Sequence, residues 1–275
     1  MPGIKNALSL DIEDWYQGIL QIDQSNWHNY ESRLIQNVEK ILALLSSARA
    51  KATFFILGYV AEKYPKLVSR IAQAGHEIAS HGYSHRLVYA QTQDEFYDDV
   101  LRSKNIIESI TKTKIKGYRA PFFSIRKDCL WALDILVDLG FEYDSSIFPV
   151  KNFLYGIPDA PRRIYKAGNK GIWEFPLSVL NIFGFRLPIC GGFYLRALPY
   201  FITKLGLKYI NKKMIPAIIY MHPWEIDVGK PKISMKLKWR MIHNYNINGM
   251  EDKFKQLVKD FYFTSIEEVL FGGRG

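Results

Sequence analysis

The chain has 275 residues, of which 48% are hydrophobic and 23% charged, and its formal net charge is +10. This length and composition are ordinary for a folded globular protein and exclude an intrinsically disordered chain. The positive charge favours an anionic partner, such as an acidic glycan, a diphosphate-linked lipid or an anionic membrane surface. Because the basic residues are scattered and accompany no nucleic-acid-binding motif, we expect no nucleic-acid partner.

The cysteines and the first residues of the chain indicate the cellular compartment of the protein. Cys129 and Cys190 are far apart and lack the spacing of a metal site, so two reduced thiols are expected rather than a disulfide framework. The chain enters an apolar segment at Leu8 without room for the apolar core and cleavage site of a signal peptide. No apolar run is long enough to span a membrane. These features predict a cytoplasmic protein.

Apolar segments and helical patterns alternate along the first half of the chain. In chain order, the predicted elements are a strand at 7–11, a helix at 33–47, a strand at 52–57, a helix at 65–74, a strand at 77–80, a helix within 92–111, a strand near 116–119, a helix at 128–139 and a strand at 141–144.

The second half gives a weaker signal. Clustered prolines and glycines between 145 and 200 predict long loops around 173–176. A strand at 217–221, a helix at 248–260, a strand at 261–264 and a last short helix follow. Repeated strand–helix units predict parallel strands covered on both faces, and no linker or repeat divides them. We therefore expect one α/β domain over residues 1–275, folded as an irregular barrel.

Five chemically versatile residues fall at or just past predicted strand ends. They are Asp11, His81, Arg119, Asp144 and His222. Active sites of α/β barrels collect at the carboxyl ends of the strands. This placement predicts that these side chains approach one another.

His81 and His85 are candidate metal ligands. Two imidazoles four residues apart lie on one face of a helical turn and are close enough to share an ion. Two histidines and one carboxylate leave open positions for water and substrate, which is typical of a catalytic metal site.

The carboxylate could be either of two residues that follow Asp11. Strand alternation would place Glu13 on the side of Asp11, whereas a turn beginning at Ile12 would bring Asp14 round. We prefer Asp14, with Glu13 as its rival.

Four ordered motifs resemble those of the polysaccharide deacetylases (carbohydrate esterase family four): LSLDIEDW at 8–15, HGYSH at 81–85, YRAPF at 118–122 and MHPW at 221–224. The segments DSSIFP at 144–149, CGGFYLR at 190–196 and EID at 225–227 are similar to a subgroup found with exopolysaccharide gene clusters. The resemblance covers about residues 7–270. It implies an irregular (β/α) barrel of seven strands.

The resemblance also implies roles for single residues. Asp11 matches the general base, Arg119 the arginine that orients this base, and His222 the general acid. His81 and His85 match the metal histidines.

The same resemblance makes the backbone at Phe122 an oxyanion donor. One departure concerns the acidic motif, because the common family pattern has two adjacent aspartates and here Ile12 follows Asp11. Aromatic residues beside the motifs are expected to line a sugar-binding cleft: Trp15, Tyr16, Tyr83, Phe122, Phe123, Trp173, Phe193, Tyr194 and Trp224.

The implied activity is metal-dependent removal of N-acetyl groups from an amino sugar in a polysaccharide or in its lipid- or nucleotide-diphosphate-linked precursor. Zinc is the expected divalent metal on ligand grounds. The substrate would be met in the cytoplasm or at the inner face of the membrane, with peripheral contact to anionic lipid. Two alternatives are a metal-independent, allantoinase-like hydrolase of small amides and a non-catalytic glycan-binding protein.

Overall fold

The computed structural model describes residues 4–19, 22–189 and 191–272. The strands of this part of the chain are β1 (Asn6–Ile12), β2 (Thr53–Ile56), β3 (Glu77–Ser80), β4 (Gly117–Tyr118), β5 (Tyr143–Asp144), β6 (Tyr165–Ala167), β7 (Ile172–Glu174), β8 (Val179–Ile182), β9 (Phe185–Pro188), β10 (Ile218–Met221) and β11 (Phe263–Thr264).

The α-helices of the same part are α1 (Leu34–Ser47), α2 (Gly58–Lys63), α3 (Pro65–Gln73), α4 (Gln93–Thr111), α5 (Trp131–Asp138), α6 (Gly192–Ala197), α7 (Tyr200–Lys212), α8 (Leu237–Asn244), α9 (Met250–Asp260) and α10 (Ile266–Phe271).

A curled, mostly parallel sheet forms a half-barrel. Its strands follow the order β10-β1-β2-β3-β4-β5-β7, and neighbours along this path are parallel. At one edge β6 pairs antiparallel with β7, and β11 pairs with β1 beside the main path. The expected irregular (β/α) barrel is confirmed, with seven parallel strands along the path of the described sheet.

The side of the barrel between β7 and β10 is covered by irregular chain. Ile218 N–H, at the start of β10, donates to Ser178 Oγ at 2.8 Å, and Gly191 makes an isolated bridge to Tyr220. Between these two contacts, β8 and β9 form a separate antiparallel hairpin. Side-chain and single-bridge contacts therefore replace a continuous ladder of strand pairing here.

The central strands are buried on both faces, as parallel strands between helices must be. Every residue of β1 is buried, including the polar Ser9, whose Oγ donates to the carbonyl of Ile219 at 3.2 Å. The helices present apolar stripes to this sheet, and Thr92 and Glu95 form a capping box that fixes the start of α4. The alternating pattern of the first half is thus confirmed in type and order.

The prediction of long loops around 173–176, in the segment 145–200, is right only in part, because residues 145–164 contain no helix or strand but β7 occupies Ile172–Glu174. This segment contains β6 to β9 and α6, and Trp173 lies inside β7. The described strands there have only three or four residues each. Such strands are too short to show a periodic pattern, and their pairing partners decide their conformation.

Two further sequence features can be compared with the structure. Cys129 is a buried free thiol, and Cys190 lies outside the described residues. No described helix combines the length and apolar character needed to cross a bilayer.

Glu77, at the start of β3, is a partly buried carboxylate near the amino ends of the strands. It accepts hydrogen bonds from Tyr143 OH at 2.6 Å, from Thr53 Oγ1 at 2.5 Å and from the backbone N–H of Glu267 at 3.0 Å. Burial raises the pKa of Glu77 to about 7, although these donors favour the charged form.

We expect the free energy of unfolding to fall as the pH rises from about 5 to about 8, because the folded state keeps the Glu77 proton longer than the unfolded chain. In Glu77→Gln this part of the pH dependence is lost. Denaturant unfolding at both pH values measures it, with Glu142→Gln as the control, since Glu142 is an exposed neighbour. An unchanged pH dependence in Glu77→Gln would contradict the assignment.

Candidate active site

A cleft of about 340 Å³ opens at the carboxyl ends of β1, β3 and β10. Its volume lies in the lower part of the range for pockets that hold small organic ligands. The polar residues of its wall include Asp11, Glu13, His81, His85, Arg196, His222 and Glu225. The predicted approach of Asp11, His81 and His222 is therefore observed in the structure. Arg119 reaches the same site from behind Asp11.

Glu13, His81 and His85 form a compact, buried donor group. One ligand atom from each lies within 4.8 Å of the others. His85 Nε2 is 2.5 Å from Glu13 Oε2, a separation at which two lone pairs need a cation or a proton between them. Burial opposes ionisation of Glu13, but the positive charges of His85 and His222 outweigh it and lower the pKa of Glu13 to about 2.

The structure corrects the preference for Asp14 as the third member of this group. Because β1 continues through Ile12, alternation brings Glu13 to the same side as Asp11. Gly18 leaves room for the Glu13 carboxylate, since a Cβ at this glycine would lie 2.5 Å from Glu13 Oε1.

The Asp14 carboxylate has a different, structural position. It accepts the backbone N–H of Trp15 at 2.9 Å and that of Arg33, just before α1, at 3.1 Å. Its own backbone N–H donates to Gln17 Oε1 at 2.6 Å. Asp14 therefore ties the loop after β1 to the start of α1 and is turned away from the histidines.

The two histidines come together through a loop and not through the helical turn that their spacing suggested. His81 directly follows β3, and both Gly82 (φ +71°) and His85 (φ +56°) have left-handed backbone conformations. Asp99 on α4 accepts the backbone N–H groups of Tyr83 at 2.7 Å and Ser84 at 3.1 Å. These bonds fold the loop back, so that the imidazole centroids are 5.3 Å apart.

The tautomer of His81 follows from its contact with a backbone carbonyl. His81 Nδ1 lies 2.8 Å from the carbonyl oxygen of Arg119, which can only accept, so Nδ1 carries the proton and Nε2 has a free lone pair. Burial and the neighbouring His85 hold the pKa of His81 well below its usual range. His81 is thus held neutral.

Asp11 is paired with a fully buried arginine. Arg119 Nη1 donates to Asp11 Oδ1 at 2.7 Å and to Ser9 Oγ at 2.8 Å. The guanidinium also donates to the Ser145 carbonyl and to Ser145 Oγ, each at 3.0 Å, and it stacks over Phe55 at 4.1 Å. These contacts fix the position of the Asp11 carboxylate.

His222 directly follows the end of β10 and lies close to both carboxylates. His222 Nε2 is 3.6 Å from Glu13 Oε1 and 3.9 Å from Asp11 Oδ2. Its Nδ1 lies 3.3 Å from Glu225 Oε2, and Glu225 Oε1 accepts from Arg196 Nε at 2.7 Å. Burial disfavours the imidazolium, but Glu13, Glu225 and Asp11 outweigh this effect and raise the pKa of His222 to about 9.

A stack of aromatic rings supports this side of the cleft. Trp224 lies between the rings of His222 (5.2 Å) and His243 (4.3 Å), and its Nε1–H points to Glu13 Oε1 at 3.4 Å. Lys230 Nζ is 4.4 Å from the centre of the Trp224 ring and donates to His243 Nδ1 at 2.6 Å. Trp224 therefore contacts both His222 and Glu13 and helps to fix their side chains relative to each other.

Phe122 follows Pro121 with a left-handed backbone (φ 53°), and its ring contacts His85 at 4.9 Å. Of the aromatic residues expected in the cleft, the following line it: Phe122, Phe123, Phe193, Tyr194 and Trp224. The remaining four lie elsewhere: Trp15, Tyr16, Tyr83 and Trp173. The sequence missed Phe153, Tyr155, Tyr220 and Trp239 as lining residues.

Other site residues were missed, although some lie in recognisable segments. Glu225 and Arg196 belong to the quoted subgroup segments, but nothing in their spacing predicted an ion pair between them. Asp99 carries no motif. Asp144 was expected at the site, but its carboxylate accepts Ser146 Oγ at 2.6 Å and is absent from the wall of the cleft.

The donor group fits a divalent metal ion. Glu13 Oε2 is buried and accepts no well-aligned hydrogen bond from a described residue. Two imidazoles and a carboxylate are the donors of many catalytic zinc sites, and other first-row metals accept the same set. Glu13, His81 and His85 could therefore hold such an ion.

Comparison with known proteins gives matches to two family models along the chain. Residues 26–143 match the family described as polysaccharide deacetylase, and residues 145–271 match a domain of unknown function, DUF3473. The chain is 38% identical over 96 residues to a peptidoglycan-N-acetylglucosamine deacetylase of Bacillus cereus. It is 31% identical over 110 residues to a peptidoglycan deacetylase of Helicobacter pylori.

These two matches cover 34% and 40% of the present chain and 35% and 36% of the relatives, so the chain spans about a third of their length. The fold is similar to that of a Mycobacterium smegmatis protein assigned to the polysaccharide deacetylases. That similarity has a TM-score of 0.67 at 19% identity and covers 100% of this chain and 92% of the other. Residues 26–143 therefore carry a segment of the polysaccharide deacetylase family, and residues 145–271 carry the DUF3473 segment.

Proposed function

We propose that the protein is a metal-dependent deacetylase that hydrolyses the N-acetyl group of an amino sugar to acetate and a free amine. The observation that carries the proposal is the convergence, in one cleft, of a His/His/Glu donor group, an arginine-held Asp11 and a glutamate-held His222. The match of residues 26–143 to the polysaccharide deacetylase family supports this activity. Metal dependence and the sugar are the parts that we propose.

Glu13, His81 and His85 would hold the divalent ion, with zinc as the expected metal. When bound, the ion would supply Lewis-acid activation of water and of the amide carbonyl. Asp11, which Arg119 keeps in place at 2.7 Å, would accept the proton of the attacking water.

His222 would donate the proton to the departing amine. Burial disfavours the imidazolium, but nearby carboxylates, Glu225 and Asp11 among them, raise the pKa of His222 and favour the protonated ring before the amine leaves. Glu225, held by Arg196, orients the ring through Nδ1 and leaves Nε2 facing the cleft. The backbone N–H of Phe122 would stabilise the negative charge that develops on the carbonyl oxygen.

The aromatic wall of the cleft favours a sugar substrate. Tyr194, Trp224 and Trp239 present rings to the cleft, and such rings pack against the apolar faces of pyranoses. The net charge of +10 favours an anionic carrier, so we propose a polysaccharide or its lipid- or nucleotide-diphosphate-linked precursor. The relation to exopolysaccharide gene clusters and the cytoplasmic or inner-membrane location stay predictions.

The proposal treats residues 1–275 as one catalytic domain. The boundary between the two family segments falls within the sheet, because β5 of the first segment pairs directly with β7 of the second. In addition, Arg119 from the first segment is held by Ser145 of the second.

We expect Glu13→Gln to lose the bound metal and Asp14→Asn to keep it, because only the Glu13 carboxylate faces the histidines. Asp14→Asn should instead lower thermal stability by weakening the tie to α1. Metal analysis of the purified proteins and thermal unfolding separate the two effects. Equal metal loss in both variants would contradict the assignment of Glu13.

We expect Asp11→Asn to lower kcat on an acetylated amino-sugar oligomer by about 10² to 10⁴, because the general base is lost. Its metal content should match that of the wild type, since Asp11 is not part of the donor group. Acetate release is the measurement, and His81→Ala, which should lose both metal and activity, is the companion variant.

The same assay tests the two alternatives. Full activity of the wild type in excess chelator would identify a metal-independent hydrolase. Sugar binding without acetate release, equal in the wild type and Asp11→Asn, would identify a glycan-binding protein.

A further inference from the structure

The hairpin of β8 and β9 carries large apolar side chains into solvent. Phe183 at its tip is 98% exposed and Phe185 is 80% exposed. Three apolar side chains of α7 continue the surface at intervals of four residues: Phe201, Leu205 and Tyr209. We call these five residues, together with Ile182, the hairpin patch. Exposed contiguous apolar surfaces of this kind mark sites of interaction with proteins or membranes.

Local structure does not account for an aromatic residue at the tip. Phe183 (φ 48°) and Gly184 (φ 87°) are the central residues of a two-residue loop, and both have left-handed conformations. Such a type I′ turn favours Asn-Gly, because a large side chain in the left-handed region is strained. Phe183 is therefore unfavourable both for its backbone conformation and for its exposure of 98%.

A cationic pocket lies beside the hairpin patch. Arg162, Arg163, Arg186 and Lys213 line it, and it shares Asn181 and Tyr209 with the groove under the hairpin. Burial and the charge of Arg162 lower the pKa of Arg186, which shows that the positive charges are crowded.

The positive charge of this pocket is not compensated within the described part of the chain. The carboxylate in its wall, Asp159, is already paired with Lys127 at 2.7 Å. Arg162, Arg163 and Lys213 form no salt bridge with a described residue. Arg186 Nη1 is held by the carbonyl of Ala160 at 2.9 Å, so this guanidinium has a fixed position in the wall.

We propose that the hairpin patch and the cationic pocket together form a docking surface for the anionic face of a phospholipid membrane. Phe183 and Phe185 enter the boundary between headgroups and acyl chains, while the pocket receives a lipid phosphate. Apolar insertion combined with attraction of basic residues to anionic lipid is how proteins bind membrane surfaces peripherally.

Charge argues against a second copy of this chain as the occupant. In a two-fold symmetric dimer the same surface of both molecules meets, so the cationic pockets would be brought close together. An anionic lipid surface complements both parts at once. The inference goes beyond the proposed deacetylation and does not rest on it, because membrane binding requires no turnover.

The key variant is Phe183→Asn, which removes the aromatic ring and introduces the residue that the turn prefers. We expect its thermal stability to equal or exceed that of the wild type. Its affinity for vesicles of phosphatidylglycerol and phosphatidylethanolamine should be about tenfold lower or more, from the lost burial of one phenylalanine. Tyr97→Asn, which removes an exposed aromatic residue of α4, is the matched control and should bind as the wild type does.

The pocket is tested by the double variant Arg162→Gln/Arg163→Gln. We expect weaker binding to the same vesicles and a smaller dependence of binding on salt, since two lipid contacts are lost. Lys66→Gln/Lys114→Gln removes the same amount of charge at exposed sites of other elements and should bind as the wild type does. Vesicles of phosphatidylcholine alone should bind the wild type weakly.

Three results would overturn the proposal. One is wild-type affinity of Phe183→Asn for anionic vesicles. Another is a wild-type dimer that light scattering shows to dissociate in Phe183→Asn, which would make the patch an interface between copies. The third is binding of soluble glycerol phosphate without vesicle binding, which would make the pocket a site for a free phosphate. The proposed function is tested separately from membrane binding. Wild type and Phe183→Asn should deacetylate a soluble oligomer at equal rates, whatever their affinities for vesicles.

Discussion

Two buried carboxylates at the end of β1, Asp11 and Glu13, form the constraint around which the site is arranged. Both are 2% exposed, and buried charges of like sign require compensation by partners of opposite charge. Arg119 compensates the charge of Asp11, and His222 compensates that of Glu13. Each partner comes from a different strand end, so the half-barrel must be assembled before the site exists. The two carboxylates of the proposed chemistry therefore have their charge partners only in the assembled fold.

The cations that face these carboxylates are themselves held by further contacts. Arg119 is fixed by the chain after β5, and His222 is fixed by Glu225, which is in turn paired with Arg196. Buried ion pairs of this kind add little net stability, but removal of one partner leaves an uncompensated charge and is costly. The contacts therefore matter most for position, and they keep the proposed base and acid in place beside the donor group.

The molecule has two surfaces of contrasting construction. The cleft is concave, and its polar groups are paired with one another. The hairpin patch and cationic pocket are formed by β8, β9, α7 and the chain before β6. The patch is exposed, and Arg162, Arg163 and Lys213 form no salt bridge with a described residue. An exposed apolar and basic surface lowers its free energy by binding a partner outside the chain. The proposed chemistry therefore belongs to the cleft, and the proposed membrane docking belongs to the hairpin patch and the cationic pocket.

The sequence by itself determined the fold class and predicted most of the polar residues that converge at the candidate site. Asp11, His81, His85, Arg119 and His222 could be found because strand ends and ordered motifs are local properties of the chain. The choice of Glu13 over Asp14 was decided by the tertiary structure. It depended on how far β1 continues and on the hydrogen bond that the Asp14 carboxylate accepts from the backbone N–H of Arg33, just before α1. The loop that joins the histidines depended in the same way on Asp99 from α4. The strands between 145 and 200 and the ion pair of Arg196 with Glu225 also required the assembled fold, because their partners are distant in sequence and no local pattern encodes such pairing.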